Sequence, residues 1–231
     1  MLYKYIIRPI LFLFDAEDMH NFFIKIGKIL GDYKFTRWIM GVLFCYKNPM
    51  LKINVCGIEF ENPIGLAAGF DKNCQLTEII NHVGFGYEEV GSITGKPCEG
   101  NPRPRLFRLV KDKSILVNYG LYNKGARYLS KHFKRHRFPL GINIAKTNDL
   151  KLSTAEAVAD YVKSFKTTHS LGDYVTINIS CPNTSNGKTF EDPDNLNFLL
   201  KEIGRININK PVFLKISPDI NYKIIDKILK I

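Results

Sequence analysis

Residues 177–184 read INISCPNT. A thiol, Cys181, stands between Asn178 and Asn183, where an alternating apolar stretch runs out. Pro182 biases the residue before it toward extended backbone, so Cys181 would sit on a stiff post at a strand end. Such a thiol could act as a base or as a nucleophile. At an unperturbed pKa of ~8.5 little of it is thiolate at neutral pH, and a nearby cation would help. Asparagine offers donors and an acceptor, so several around one thiol suit a small ring rich in N–H and C=O groups, such as a pyrimidine. The alternative is a buried structural cysteine, the commoner fate of a lone one.

Other strand ends carry compatible chemistry. In Ala67-Ala68-Gly69-Phe70-Asp71-Lys72 the small residues would let a flat ligand approach the backbone, with Lys72 as a cation beside it. A tight turn followed by an exposed lysine reads equally well. Gly91 and Ser92 could present donors, and the stretch Asn118-Tyr119-Gly120-Leu121 opens a long loop, which functional loops tend to be. Asn143 lies between isoleucines, and an asparagine in a buried strand needs hydrogen bonds. Lys215, within Val212-Phe213-Leu214-Lys215-Ile216, is expected in a buried strand and would need an anionic or hydrogen-bonding partner. Alternation puts Thr176, Asn178 and Ser180 on one face and Val175, Ile177 and Ile179 on the other. Asn143, Asn178 and Lys215 are therefore expected at matching depth on three strands, facing a common mouth.

The elements that must position them alternate. Strands are read at 64–67, 87–93, 140–144, 174–179 and 212–216, and helices at 75–82, 126–132, 155–167, 196–203 and 222–229. Strand–helix alternation means a parallel sheet with helical crossovers. GLAAGFDKN lacks the G-x-G-x-x-G of an open dinucleotide-binding sheet. The expected fold is an α/β (β/α)8 TIM barrel of which about the first five units are present. The final IIDKILKI, without a capping glycine, reads as a barrel cut short. Ahead of it lie a hairpin turning at Cys56-Gly57 and a helical unit over residues 1–48. That unit holds more Phe, Ile and Leu than it can bury within itself, so they pack on the next domain or enter a membrane interface; composition favours packing.

Bulk properties narrow the class. The chain has 231 residues and a net charge of +11, from 33 Lys and Arg against 22 Asp and Glu. Most of the excess lies in residues 96–137 and reads as a solvated flank rather than a nucleic-acid surface. The five cysteines are odd in number and without C-x-x-C spacing, which argues against disulfides and a metal site. MLYKYIIRPILFLF is broken by Lys4, Arg8 and Pro9, falls short of the ~20 apolar residues of a membrane span, and lacks a signal-peptide cleavage site.

Seven ordered motifs, LFLFDAEDMH, ENPIGLAAGFDKN, GFGYEEVGSIT, NPRPRLFRL, GINIAK, INISCPNT and FLKISPD, together resemble the dihydroorotate dehydrogenase family over nearly the whole chain. The leading helical segment is similar to that of the membrane-associated, quinone-reducing class. The resemblance implies a flavin enzyme of pyrimidine (UMP) synthesis that oxidises dihydroorotate to orotate and passes electrons through FMN to a membrane quinone. It assigns Ala68, Gly69, Lys72, Ser92, Asn143, Asn178 and Lys215 to FMN. Lys72, Asn118, Tyr119, Gly120, Leu121, Asn178 and Asn183 would hold the substrate, and Cys181 would be the base. It implies residues 1–48 as a membrane and quinone-access segment and 49–231 as the FMN-binding barrel, incomplete here. The implied location is peripheral, on the cytoplasmic side of the inner membrane. The pattern departs from that class at Cys181, where the quinone class carries serine and the soluble class, using fumarate or NAD, carries cysteine. It departs again at Val117, where the substrate loop normally has asparagine; a one-residue gap brings Asn118 to that role. The last three barrel strands of the family are not in this chain. An inactive barrel fragment with a basic surface is the remaining alternative.

Overall fold

The computed structural model describes residues 1–134, 136–180 and 189–231, so the candidate residues Cys181 and Asn183 lie outside the described residues. The chain opens with a π-helical turn (Tyr3–Ile7) and helices α1 (Arg8–Leu11), α2 (Ala16–Asp32) and α3 (Lys34–Phe44). Asp15 caps α2: its carboxylate accepts from the Glu17 and Asp18 amides at 2.9 and 3.0 Å. Two acidic residues in the first turn complement the helix dipole.

Helix α2 packs on the rest of the chain along one face. Ile24 joins Leu76, Ile79, Ile80 and Phe138 in a small apolar cluster. Gly31 permits the close approach, since a Cβ there would lie 3.0 Å from Glu78 Cβ. A buried ion pair pins the helix start: Arg105 Nη2 donates to Glu17 Oε1 at 2.8 Å, their side chains 7% and 4% exposed. Arg103 reaches Asp15, Glu17 and Asp18 as well. The opposite side is apolar and open, with Phe22, Phe23, Ile29, Trp38, Val42 and Leu43 exposed. Both fates expected for this unit's apolar residues are therefore available, on different faces.

Strands β1 (Ile53–Val55) and β2 (Ile58–Phe60) form the expected hairpin, with Cys56 and Gly57 at positive φ in the turn. Then come β3 (Gly65–Leu66), β4 (Tyr87–Ile93), β5 (Leu106–Leu109), β6 (Ser114–Val117), α4 (Ala126–His132), β7 (Leu140–Ile144), α5 (Thr154–Thr168), β8 (Tyr174–Asn178), α6 (Pro193–Gly204), β9 (Val212–Lys215) and α7 (Tyr222–Ile228). The five strands β3-β4-β7-β8-β9 lie side by side in that order, every pair parallel. This is the α/β barrel pattern, present as five consecutive strands. The core lies between sheet and helices: Val90, Ile142, Ile144, Val175 and Ile177 meet Leu129 of α4, Val158, Tyr161 and Phe165 of α5, and Leu196 and Leu199 of α6.

Three expectations change. The helix read at 75–82 is a series of turns ending in a short 3-10 helix, Ile80–Val83. The Asp71 carboxylate takes the Asn73 and Leu76 amides at 3.2 and 2.6 Å, and Cys74 sits at φ 59°, so side-chain bonding displaces helical bonding. The stretch after β4 is more than a loop, since β5 and β6 pair antiparallel within it. Lys215 is exposed rather than buried, because β9 is the edge strand among the described residues.

Glu17→Ala strips Arg105 of its buried partner, and truncating one member of such a pair is worth ~3–5 kcal/mol of stability. Chemical denaturation is expected to show a loss of that order, whereas Asp18→Ala, on the exposed side of the same cluster, is expected to change stability by less than ~1 kcal/mol.

Candidate functional site

The inward side chains of the sheet fall into layers. Tyr87 and Tyr174 fill the floor, and Phe213, registered with Thr176 one step up, meets the Tyr174 ring edge to face at 5.3 Å. Gly141, registered against Tyr174, makes room: a Cβ on it would strike the Tyr174 ring. The next layer is polar. Glu89 of β4 accepts from Asn143 Nδ2 at 2.7 Å, Thr176 Oγ1 at 3.0 Å and the Tyr174 hydroxyl at 3.3 Å. Burial and the Glu89 charge push the Tyr174 hydroxyl pKa well up, so it stays a donor.

Ser92, Asn178 and Lys215 form the layer above. Strict alternation from Glu89 would turn Ser92 outward. One extra residue between Val90 and Ile93 breaks the register with β7 and brings it in. Gly91 makes the bend, at φ 113°, where a Cβ would collide with the Asn143 carbonyl. Ser92 Oγ then donates to Asn143 Oδ1 and accepts from Asn178 Nδ2 at 2.9 Å. Asn178 Oδ1 accepts from the Ser180 amide and hydroxyl, each at 3.1 Å. The Asn178 carbonyl accepts from the Tyr161 hydroxyl at 2.7 Å. The amide plane of Asn178 is thus held from both ends.

Above this layer opens a cleft, continuous with solvent. Its lining includes Ala68, Gly69 and Lys72 after β3, Ser92 on β4, Tyr119, Gly120 and Leu121 after β6, Asn178 on β8 and Lys215 on β9. Nine candidate positions from separate stretches therefore share one cavity. Two do not. Asn143 is fully buried and registered with Thr176, a layer deeper than the paired Asn178 and Lys215, so the matching depth expected for the three does not hold. It reaches the cleft only through Ser92. Asn118 is exposed and absent from the lining; its side-chain oxygen accepts from Asn101 Nδ2 at 2.8 Å, while the neighbouring Val117 lines the cleft.

Gly91, read as a possible donor, and Ser180, read on the face of Asn178, both line the cleft, whereas sequence reasoning missed Tyr122 in the lining and Glu89 beneath it. Glu89 was findable, being an acid that shares the inward parity of Tyr87. His20 had no local signal: its Nε2 lies 3.2 Å from Lys72 Nζ, across 52 positions of sequence. Lys72 also sits 3.8 Å over the Tyr119 ring. Burial lowers its pKa to about 8, with Glu17 opposing and Arg105 assisting the shift. The Tyr119 hydroxyl is buried with no hydrogen-bond partner among the described residues.

Comparison with known proteins agrees with this geometry. The family model described as dihydroorotate dehydrogenase matches residues 50–231. The chain is 37% identical over 241 residues to dihydroorotate dehydrogenase (quinone) of Synechococcus sp. (strain JA-3-3Ab), covering 100% of this chain and 63% of that protein. It is 37% identical over 225 residues to the protein of that name from Gloeobacter violaceus, covering 96% and 63%. A crystal structure of Eimeria tenella DHODH in complex with ferulenol superposes with a TM-score of 0.77 at 29% identity, over 94% of this chain and 63% of that one. The chain thus spans 63% of the length of each of these relatives.

Behind the cleft, on the outer side of β4, Glu88 is fully buried against the Asp71 side chain, and no N–H or hydroxyl group among the described residues donates to its carboxyl oxygens. Burial, and then the adjacent Asp71 carboxylate, raise its pKa well above the usual carboxylate range. A raised folded-state pKa means that the unfolded chain ionises first, so stability falls as pH rises above the ordinary Glu value. Glu88→Gln is expected to raise the thermal unfolding midpoint at neutral pH and to lose that advantage in acid. An equal midpoint at both pH values would contradict a neutral Glu88.

Proposed function

This chain belongs to the dihydroorotate dehydrogenase family, and we propose that the whole protein oxidises dihydroorotate to orotate in pyrimidine biosynthesis, passing electrons through FMN to a membrane quinone. The observation that carries the reading is the convergence of Lys72, Ser92, Asn178 and Lys215 on one cleft with the bare backbone of Ala68 and Gly69. Those residues fit a flat heterocycle. Gly69 sits at φ 103° with nothing within 4 Å of where its Cβ would be, so the wall there stays open to a ring. Two cations and two neutral polar side chains match a ring edged with carbonyls and N–H groups.

Ala68, Gly69, Ser92 and Lys215 would hold FMN, with Asn143 acting through Ser92. When bound, FMN supplies the acceptor for the hydride that leaves ring carbon 6. Cys181 takes the proton from ring carbon 5 as the base. Asn178 and Asn183 grip the amide edges of the substrate ring. Asn178 is held for this by Ser180, Ser92 and Tyr161, with a second Nδ2 hydrogen still to give. Lys72 and Lys215 place positive charge where the anionic substrate and the accumulating negative charge would lie. Tyr119, Gly120 and Leu121 close over the ring, and Asn118 would join them only by leaving Asn101.

The curated relatives are named as quinone enzymes, which supports a quinone acceptor here. The exposed Phe22, Phe23, Trp38, Val42 and Leu43 suit peripheral contact with a membrane on its cytoplasmic side. No described helix is long and apolar enough to cross one.

The purified full-length protein is expected to show flavin absorbance that dihydroorotate bleaches anaerobically and a quinone restores. Absence of bleaching sinks the proposal, and restoration by fumarate or NAD but not by quinone moves the protein to the soluble class. Cys181→Ser is expected to retain part of the bleaching rate with a shifted pH dependence, and Cys181→Ala to lose roughly 10²–10⁴-fold.

A further inference from the structure

The N-terminal helices touch the cleft itself. His20 of α2 lies 3.2 Å from the Lys72 ammonium and packs edge to face on Phe70 at 4.8 Å, two residues before that lysine. Lys72 sits on the Tyr119 ring, and Arg105 lies 5.1 Å from the same ring. The nearest acidic help is committed elsewhere: Glu17 is engaged by Arg105 and Arg103, and Asp71 by backbone amides.

We infer that His20 is a positioning residue for Lys72, so that the N-terminal helical unit helps build the substrate and flavin cleft as well as serving an electron acceptor. The inference rests on the reading of Lys72 given above. A lysine carries a flexible four-carbon stem, and when buried it needs an acceptor to keep both its proton and its place. An aromatic face attracts the charge without fixing a direction, whereas a ring nitrogen accepts one N–H along its lone pair. The protonation states agree with that polarity. Burial and then the Lys72 charge hold the His20 pKa at about 4, so the ring is neutral at neutral pH, and an ammonium can only donate to it. Neutral Nε2 therefore accepts, and Lys72, with its pKa near 8, is largely ammonium at neutral pH and donates. The charged and titratable groups acting on Lys72 are Glu17, Arg105 and Asp71, with His20 and Tyr119 in contact.

Two substitutions separate positioning from bulk. His20→Leu keeps the apolar volume and removes the acceptor. His20→Gln restores an acceptor through its carbonyl oxygen. In flavin-free full-length protein, the pH dependence of Lys72 acylation by a lysine-selective reagent, followed by mass spectrometry, titrates the amine directly. The midpoint is expected near 8 for the unaltered protein, lower in His20→Leu, and recovered in His20→Gln. In the flavin-loaded protein, losing one hydrogen bond to a charged group is expected to slow bleaching by dihydroorotate roughly ten- to hundred-fold in His20→Leu. The alkaline limb should move to lower pH, and His20→Gln should regain most of the rate. Coincident acylation midpoints in all three proteins would overturn the inference, as would a His20→Gln variant as slow as His20→Leu. If the unaltered protein is not bleached at all, the reading of the cleft fails instead, and the acylation midpoints still decide whether His20 governs Lys72.

Discussion

A carboxylate inside a strand-built interior must be surrounded by donors, and the three that surround Glu89 set the form of this cleft. Asn143, Thr176 and Tyr174 come from two neighbouring strands and spend their hydrogens on that one group. With its Nδ2 given downward, Asn143 has its oxygen free for Ser92 above. Ser92 in turn accepts from Asn178. A line of bonds thus runs from the buried layer to the mouth, each link fixing the side-chain orientation of the next. Networks of this kind are stiff when every member is satisfied.

The backbone is shaped to the same end. The extra residue in β4 and the bend at Gly91 exist where Ser92 must turn in, and the Cβ-free Gly91 is what lets β4 approach the Asn143 carbonyl. On the outer side of the same strand, Glu88, its pKa raised by burial, lies against Asp71, whose carboxylate organises the turn that follows Lys72. Both faces of β4 therefore govern cleft residues. The N-terminal unit enters through the Glu17–Arg105 pair and the His20–Lys72 contact, which tie α2 to the cleft's own wall.

Much of this was legible in the sequence, for identifiable reasons. Strands 87–93 and 140–144 were read to the residue because burial on the helix-facing side leaves runs such as Leu140-Gly141-Ile142-Asn143-Ile144 unmistakably extended. The polar parity of Thr176 and Asn178 was read correctly from alternation, and both bond inward. The stretch 75–82 looked helical because its apolar spacing is helical, while the competing Asp71 side chain lies outside the window that periodicity samples. Strands β5 and β6 were hidden by their turn, where Lys111, Asp112 and Lys113 read as solvated loop. Lys215 was expected buried because its neighbours are apolar, yet an edge strand exposes what a central one hides. Contacts such as His20 with Lys72 depend on how two distant segments dock, and no local pattern encodes that.

A structure of the full-length protein with orotate bound tests the central claim most directly. The account predicts the orotate ring in the cleft above Ser92, within hydrogen-bond reach of Asn178 and Lys72, with the Glu89–Asn143–Ser92–Asn178 line unchanged beneath it. Orotate bound elsewhere, with those side chains untouched, would contradict it.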